Sequence, residues 1–199
     1  MPRQVYSFEP PERFIAGTVG EPGDRTFYLQ ASGGGRTVSV ALEKVQVALL
    51  AERLAELLDE ARRRLGAQVP DGAPELEDSA PLDTPIEEEF RVGTLGLAWE
   101  GDSSTVVIEA TAEGDLPETE AEAEEELVEV DPEDDVNDPD KDIDDTRDVL
   151  RVRISPAAAR AFISRAERVV AAGRPACPLC GLPLDPEGHI CPRHNGYRR

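Results

Sequence analysis

Apolar and polar side chains alternate along several short stretches near the start of the chain. Within residues 37–42, three large apolar residues alternate with a serine and an alanine, which is the pattern of a half-buried strand. Residues 4–8, 13–20 and 26–31 contain many of the β-branched and aromatic types that favour strands. Turns containing Pro or Gly separate these stretches. We therefore predict four strands before residue 43.

Two later stretches have the 3.6-residue period of amphipathic helices. The first covers residues 43–65, and its apolar stripe consists of Val47, Leu50, Leu54, Leu57, Leu58, Ala61 and Leu65. The second begins after Ser155, a good N-cap, with Pro156 in the first helical position. Its stripe consists of Ala159, Phe162, Ile163, Ala166, Val169 and Val170. Gly173 is a suitable stop signal for this second helix.

The second half of the chain repeats the order of the first. Residues 90–96 (FRVGTLG) match residues 14–20 (FIAGTVG) without a gap. Stretches corresponding to the next two strands follow at 105–110 and 150–154, before the second helix. One such unit cannot bury both its sheet face and its helix stripe, whereas two together can. We predict an α+β fold made of two tandem strand–strand–strand–helix repeats packed together, plus a small C-terminal zinc ribbon.

Composition sets the predicted boundaries. Residues 1–66 form the first repeat, and residues 67–89, which contain many Pro, Asp and Gly, read as a linker. The second repeat covers 90–174, and residues 175–199 form the C-terminal module. Within the second repeat, the connection between its last two strands grows to an acidic insertion at 113–148, whose composition predicts disorder.

Charge narrows the classes of partner. The chain carries a net charge of −21, of which residues 113–148 contribute −17. Such a balance argues against a general binder of nucleic acid or of anionic membranes. No apolar run approaches the roughly 18 to 20 residues that cross a bilayer, and the first residues lack the apolar region of a signal peptide. We expect a cytoplasmic protein with no membrane partner.

All three cysteines and both histidines lie in the last 23 residues. The spacing Cys177-x2-Cys180-x10-Cys191-x2-His194 supplies three thiolates and one imidazole, a common tetrahedral zinc set. In a cytosolic chain this spacing favours a metal site over disulfides. His189 competes as the fourth ligand, although the two-residue spacing of the second pair favours His194.

Four protein ligands would saturate a zinc ion, so we expect a structural site and not a catalytic one. About 25 residues with almost no apolar core need a metal to fold. No nucleophile–base pair can be assembled elsewhere, because every cysteine and both histidines lie in the candidate metal module. The basic end of the chain, residues 193–199 (RHNGYRR), is a candidate contact surface for an acidic partner.

Three stretches carry a resemblance to a known family: the paired F-x-[AV]-G-T-[VL]-G segments, VSVALEKVQ, and the terminal CPLCG and CPRHNGYRR. The chain resembles an uncharacterised actinobacterial family of repeat proteins, domain of unknown function 3090. The resemblance implies a cytoplasmic protein with no established activity. It also implies a functional association with a phosphomutase-like and a kinase-like protein, and assigns no catalytic residues.

The function that fits these observations best is that of a non-catalytic zinc-binding interaction or adaptor protein whose partner is another protein. A second reading is an enzyme or enzyme subunit acting on a phosphorylated or nucleotide ligand, which needs a polar pocket between the two repeats. A third reading is a nucleic-acid-associated zinc-ribbon factor, which the acidic segment disfavours.

Overall fold

The structure, a computed structural model, describes residues 3–114 and 147–173 together with Cys177, Leu179 and Cys191. Within these residues the fold is α+β, as predicted, with a seven-stranded sheet and two long helices. No helix in this part of the chain is long and apolar enough to span a bilayer.

The helices and strands follow the predicted order. The strands are β1 (Val5–Phe8), β2 (Arg13–Glu21), β3 (Asp24–Gly33), β4 (Arg36–Leu42), β5 (Glu88–Glu100), β6 (Thr105–Ala112) and β7 (Val149–Ile154). The helices are α1 (Lys44–Leu65) and α2 (Pro156–Ala171), and a single 3-10 turn lies at Pro74–Leu76. The predicted cap of α2 is confirmed, because the Ser155 side chain accepts a hydrogen bond from the Ala158 amide.

The seven strands form one sheet in the order β1-β7-β6-β5-β4-β3-β2. Strands β2 to β4 form one antiparallel meander and β5 to β7 form another. The two meanders join where β4 and β5 pair in parallel, with α1 as the crossover between them. Strand β1 pairs in parallel with β7, so it lies beside the second meander although it precedes the first in sequence. It covers the edge that β7 would otherwise leave open.

One face of the sheet is apolar across all seven strands, because alternate residues point to the same side. The core on this face contains residues from the strands and from both helices, including Phe8, Leu29, Val40, Leu54, Val92, Ile108, Val152 and Phe162. The opposite face carries cross-strand ion pairs, such as Arg151 with Glu109 at 2.5 Å and Arg153 with Glu100 at 2.9 Å. Both helices therefore contribute to a single core on the apolar face.

Helix α2 packs beside β2, the edge strand at the far end of the sheet. The rings of Phe14 and Phe162 stack there, with centroids 4.7 Å apart and planes inclined by 12°. The two helices run in opposite directions, since Arg160 in the first turns of α2 pairs with Asp59 near the end of α1 at 2.6 Å. Helix α2 thus closes the side of the sheet that β2 leaves open.

The segment between α1 and β5 packs against the sheet, although its composition predicted a linker. Leu82 is buried and lies over Gly17, where an added Cβ would come within 2.6 Å of the leucine Cγ. The buried side chain of Gln30 holds the backbone of Asp83 at both ends: its Oε1 accepts from the amide at 2.8 Å and its Nε2 donates to the carbonyl at 3.1 Å. The last two residues of the predicted linker already belong to β5.

Candidate functional site

The described part of the C-terminal module contains two of the four predicted zinc ligands. The Sγ atoms of Cys177 and Cys191 lie 3.9 Å apart, and each residue is only 6% exposed. This separation is far longer than a disulfide bond of about 2.05 Å. It is close to the roughly 3.8 Å that separates two thiolates on one tetrahedral zinc ion with Zn–S bonds of about 2.3 Å.

The other predicted ligands, Cys180 and His194, lie outside the described residues, as does the competing His189. Among the residues that the structure describes, no group of three or more His, Cys, Asp or Glu is placed to hold a metal ion. The structure therefore brings one cysteine of each predicted pair together, and the complete set of four remains a prediction. Most of the acidic insertion, residues 115–146, also lies outside the described residues.

A second polar cluster, which the sequence analysis missed, lies where α2 meets the edge of β2. Its centre is Asp78, which accepts hydrogen bonds from Arg13 Nε at 2.6 Å and from Arg13 Nη2 at 3.1 Å. The same carboxylate accepts a bond from Arg165 Nη1 at 3.2 Å. Arg13 also pairs with Asp83 at 2.9 Å. We refer to Arg13, Asp78, Asp83 and Arg165 as the edge cluster.

Arg165 is the most deeply buried member of the edge cluster, with 7% of its surface exposed. Its Nε donates to the Ala16 carbonyl at 2.7 Å, and its Nη2 donates to the Ala80 carbonyl at 2.8 Å. Arg165 therefore satisfies a carbonyl of the edge strand β2 that has no strand partner on that side. It also fixes the segment between α1 and β5 to the same edge.

The charges of the edge cluster alter one another's pKa. The hydrogen bonds from Arg13 hold the pKa of Asp78 below its usual value, and the same bonds raise the pKa of Arg13. Burial lowers the pKa of Arg165, because desolvation disfavours its charged form. Since an arginine stays protonated in proteins, the cluster is an ion pair at neutral pH, and its lowered pKa makes Asp78 a weak proton acceptor.

A cavity of about 410 Å³ opens next to the edge cluster. Its lining includes Arg13, Asp78 and Arg165 together with the stacked rings of Phe14 and Phe162. We call this space the seam cavity. It combines apolar walls with charged groups of both signs.

Two tyrosine hydroxyls outside the metal-ligand pattern donate hydrogen bonds to carboxylates. The Tyr6 hydroxyl donates to Glu89 at 2.9 Å, and that of Tyr28 points to Glu88 at 3.4 Å. Burial and the neighbouring carboxylate raise the pKa of Tyr6 to about 12, and burial likewise raises that of Tyr28. Both phenols stay protonated at neutral pH, so neither is suited to act as a base or a nucleophile.

One sequence signal could have identified the edge cluster. Arg165 falls within the apolar stripe of α2, between Phe162 and Val169 in helical spacing, and a charged residue in such a stripe is either buried with partners or misplaced. Arg53, which the repeat interpretation places at the corresponding position of α1, is exposed and pairs with Glu56. No comparable signal marked Asp78, because its segment has no periodicity.

A family model described as "Protein of unknown function (DUF3090)" matches residues 6–191, almost the whole chain. No curated protein and no solved structure matches the chain. The match includes both meanders, both helices and the first three predicted zinc ligands.

Proposed function

The chain belongs to the DUF3090 family of proteins of unknown function, and we propose that it is a non-catalytic zinc-binding protein that interacts with another protein. The proposed ligands are Cys177, Cys180, Cys191 and His194. The observation that carries the proposal is the 3.9 Å separation of two buried thiol sulfurs from the two halves of the ligand pattern. Two thiolates at this distance fit a shared tetrahedral ion.

The proposed zinc ion has a structural role. With three thiolates and one imidazole it has no open position for water, which a catalytic zinc requires. The module around it, residues 175–199, has the size of a zinc ribbon and few apolar residues of its own. Metal binding would therefore supply most of its folding free energy.

The interaction role rests on the surface of the same module. Leu179, between the first two proposed ligands, is 51% exposed and offers an apolar contact. Residues 193–199 add three arginines and a tyrosine, types that are enriched in protein interfaces. The expected partner is a protein with an acidic surface, and the phosphomutase-like and kinase-like proteins that the family resemblance implies are the first candidates. A cytoplasmic location is part of the same proposal.

We also infer that the body consists of two copies of one unit. Strands β2 to β4 with α1, and strands β5 to β7 with α2, follow the same order. The matching FxxGTxG stretches begin corresponding strands, β2 and β5. Gly17 and Gly93 hold equivalent places in them, and at both an added Cβ would come within 3.0 Å of a neighbouring atom. This correspondence supports a duplication.

The two other readings receive less support from the described residues. An enzyme acting on a phosphorylated ligand needs free cationic donors, whereas both arginines of the seam cavity already donate to Asp78 and to backbone carbonyls. A nucleic-acid-associated factor has to overcome the repulsion between phosphates and a chain with a net charge of −21.

Metal analysis tests the zinc site. We expect one zinc ion per chain in the wild-type protein and loss of that ion in Cys180→Ser and in His194→Ala. His189→Ala is the matched control and should keep the metal, because it removes an imidazole from the same module outside the proposed ligand set. A wild-type protein purified without metal, or full zinc retention in Cys180→Ser, would refute the site.

The interaction role needs a separate measurement. The full-length protein and a version that ends at residue 174 are used to capture partners from the same cell extract, and the phosphomutase-like and kinase-like proteins are then quantified. We expect a partner to be captured by the full-length protein and lost from both the truncated protein and Cys180→Ser. Equal capture by all three versions would show that the module does not carry the interaction, whatever its metal content.

A further inference from the structure

The seam cavity exists because α2 presents small side chains to it. Ala158 and Ala161 line the cavity on the helix side, and Ile154 and Leu76 contribute to its other walls. By contrast, the buried stripe of α1 is filled by leucines such as Leu54 and Leu58. The cavity is open to solvent and, at about 410 Å³, is far larger than a water molecule. It can therefore admit a small molecule from solution.

The walls of the seam cavity favour a planar, apolar occupant. Phe14 and Phe162 already form a stacked pair at 4.7 Å, and Phe14 remains only partly buried. Aromatic rings prefer offset-stacked or edge-to-face neighbours at centroid distances of about 4.5–7 Å. A further ring placed in the cavity would contact Phe14 and Phe162, which both line it, and would bury more of Phe14.

The polar groups of the cavity favour an uncharged occupant. The lining contains two cationic residues, Arg13 and Arg165, and two anionic residues, Glu12 and Asp78, so its formal charge is zero. All three nitrogens of each guanidinium group already donate hydrogen bonds. The nitrogens of Arg13 donate to Asp78, to Asp83 and to two backbone carbonyls. The nitrogens of Arg165 donate to the Asp78 carboxylate and to the carbonyls of Ala16, Asp78 and Ala80. A phosphate or carboxylate in the cavity would also meet the carboxylates of Glu12 and Asp78, and this like-charge repulsion opposes its attraction to the two arginines.

We propose that the seam cavity is a binding site for a neutral, planar, largely apolar small molecule about the size of a two- or three-ring aromatic compound. Its volume lies within the range of roughly 300–1,000 Å³ that is typical of small-molecule sites. Apolar walls with a few fixed polar groups are also typical of such sites. Neither Cys177 nor Cys191 lines this site, and the proposal does not rest on the proposed zinc site.

The test uses the full-length protein and the neutral fluorophore N-phenyl-1-naphthylamine, whose emission rises in apolar sites. We expect saturable binding of one molecule per chain to the wild type. Ala158→Leu places a larger side chain in the cavity and should weaken binding of the fluorophore by about tenfold or more. A change of even one methylene in an apolar pocket alters affinity on this scale. Ala157→Leu, a neighbour on the same helix turn that does not line the cavity, is the matched control and should bind as the wild type does.

Folding of each variant is checked by its thermal unfolding midpoint. A second measurement needs no variant: nuclear Overhauser effects should connect the aromatic protons of the fluorophore with the methyl groups of Ala158 and Ala161. Absence of saturable binding, equal affinity in Ala158→Leu and Ala157→Leu, or contacts only to other methyl groups would overturn the site. Displacement of the fluorophore by ATP or inorganic phosphate, but not by indole, would overturn its assignment to neutral ligands.

Discussion

Arg13 and Asp78, which are 65 positions apart in the chain, form a two-point ion pair at the edge of the sheet, with N–O distances of 2.6 and 3.1 Å. Arg165 reaches the same carboxylate from α2. One aspartate thus joins three parts of the fold: the first residue of the edge strand, the second helix, and the segment between α1 and β5. The edge cluster is therefore a tertiary connection whose loss should be felt in the stability of the whole body.

Replacing Asp78 by Asn should destabilise the protein. The variant keeps the shape of the side chain but leaves Arg165, whose side chain is 9% exposed, without a negative partner. It leaves Arg13, whose side chain is 19% exposed, with Asp83 as its remaining negative partner. Because the cluster is only partly buried, we expect a loss of about 1–3 kcal/mol, below that of a fully buried pair. Urea unfolding measures it, and Glu56→Gln in the exposed Arg53–Glu56 pair is the control, with an expected change below about 0.5 kcal/mol. Equal effects of both substitutions would contradict a special role for Asp78.

The contribution of Asp78 should also depend on pH. Its pKa is lower in the folded protein than its ordinary value of 3.8, so the unfolded state binds its proton more tightly. The stabilisation is then fully present above about pH 5 and is lost as the pH falls through the folded pKa. We expect the difference in unfolding free energy between wild type and Asp78→Asn to be constant from pH 7 to 5 and to shrink below pH 4. Urea titrations at each pH measure it, and other carboxylates cancel in the difference. A difference that stays unchanged at pH 3 would contradict the ion pair.

The parts of the fold that the sequence predicted are those with local causes. The alternation in residues 37–42 predicted β4 because period 2 places its apolar residues on one face. The Ser155-Pro156 pair predicted the start of α2 because its hydrogen bonding is completed within one turn. Both predictions depend on neighbours a few residues away, which a single sequence contains.

The parts that the sequence did not predict depend on distant partners. The pairing of β1 with β7 joins residues about 144 positions apart, such as Tyr6 with Leu150, and no local pattern specifies it. The segment around Asp78 has no periodic pattern in its sequence. Its position is fixed by hydrogen bonds with the side chains of Arg13, Arg165 and Gln30, which are distant in the chain. At the candidate metal site, the spacing of the cysteines predicted shared ligands from local sequence alone. The seam cavity, by contrast, depends on how α2 docks against β2.

Gly17 should be intolerant of a side chain. A Cβ at this position would lie 2.6 Å from Leu82 Cγ and 2.7 Å from its Cδ2, so Gly17→Ala should displace the buried leucine and cost about 1–3 kcal/mol. Gly96→Ala is the matched control, since its Cβ would meet Glu109 Cβ at an ordinary 3.7 Å. Thermal and urea unfolding of both variants measure the effect. The double variant Gly17→Ala with Leu82→Ala should cost less than the sum of the two single changes, and strict additivity would show that the two residues do not touch.

Shortening the acidic insertion should stabilise the body. The ends of the insertion are already held together, because the Ala112 amide donates to the Asp148 carbonyl at 2.8 Å and the Glu113 amide donates to the Arg91 carbonyl at 2.7 Å. Replacing residues 115–146 with two glycines keeps both bonds and resembles the short Gly34-Gly35 connection between β3 and β4.

The expected increase in the free energy of unfolding comes from the entropic cost of closing the loop, which grows with the logarithm of the loop length. The shorter loop lowers this cost by about 1–2 kcal/mol. Urea unfolding of the shortened protein should show this increase. A full-length control, in which the Asp and Glu residues of 115–146 are replaced by Asn and Gln, separates the effect of charge from the effect of length. Its stability should increase only by the amount due to repulsion among the acidic residues. If the shortened protein is instead less stable than the wild type by more than about 1 kcal/mol, the insertion makes stabilising contacts with the body and is not a passive surface loop.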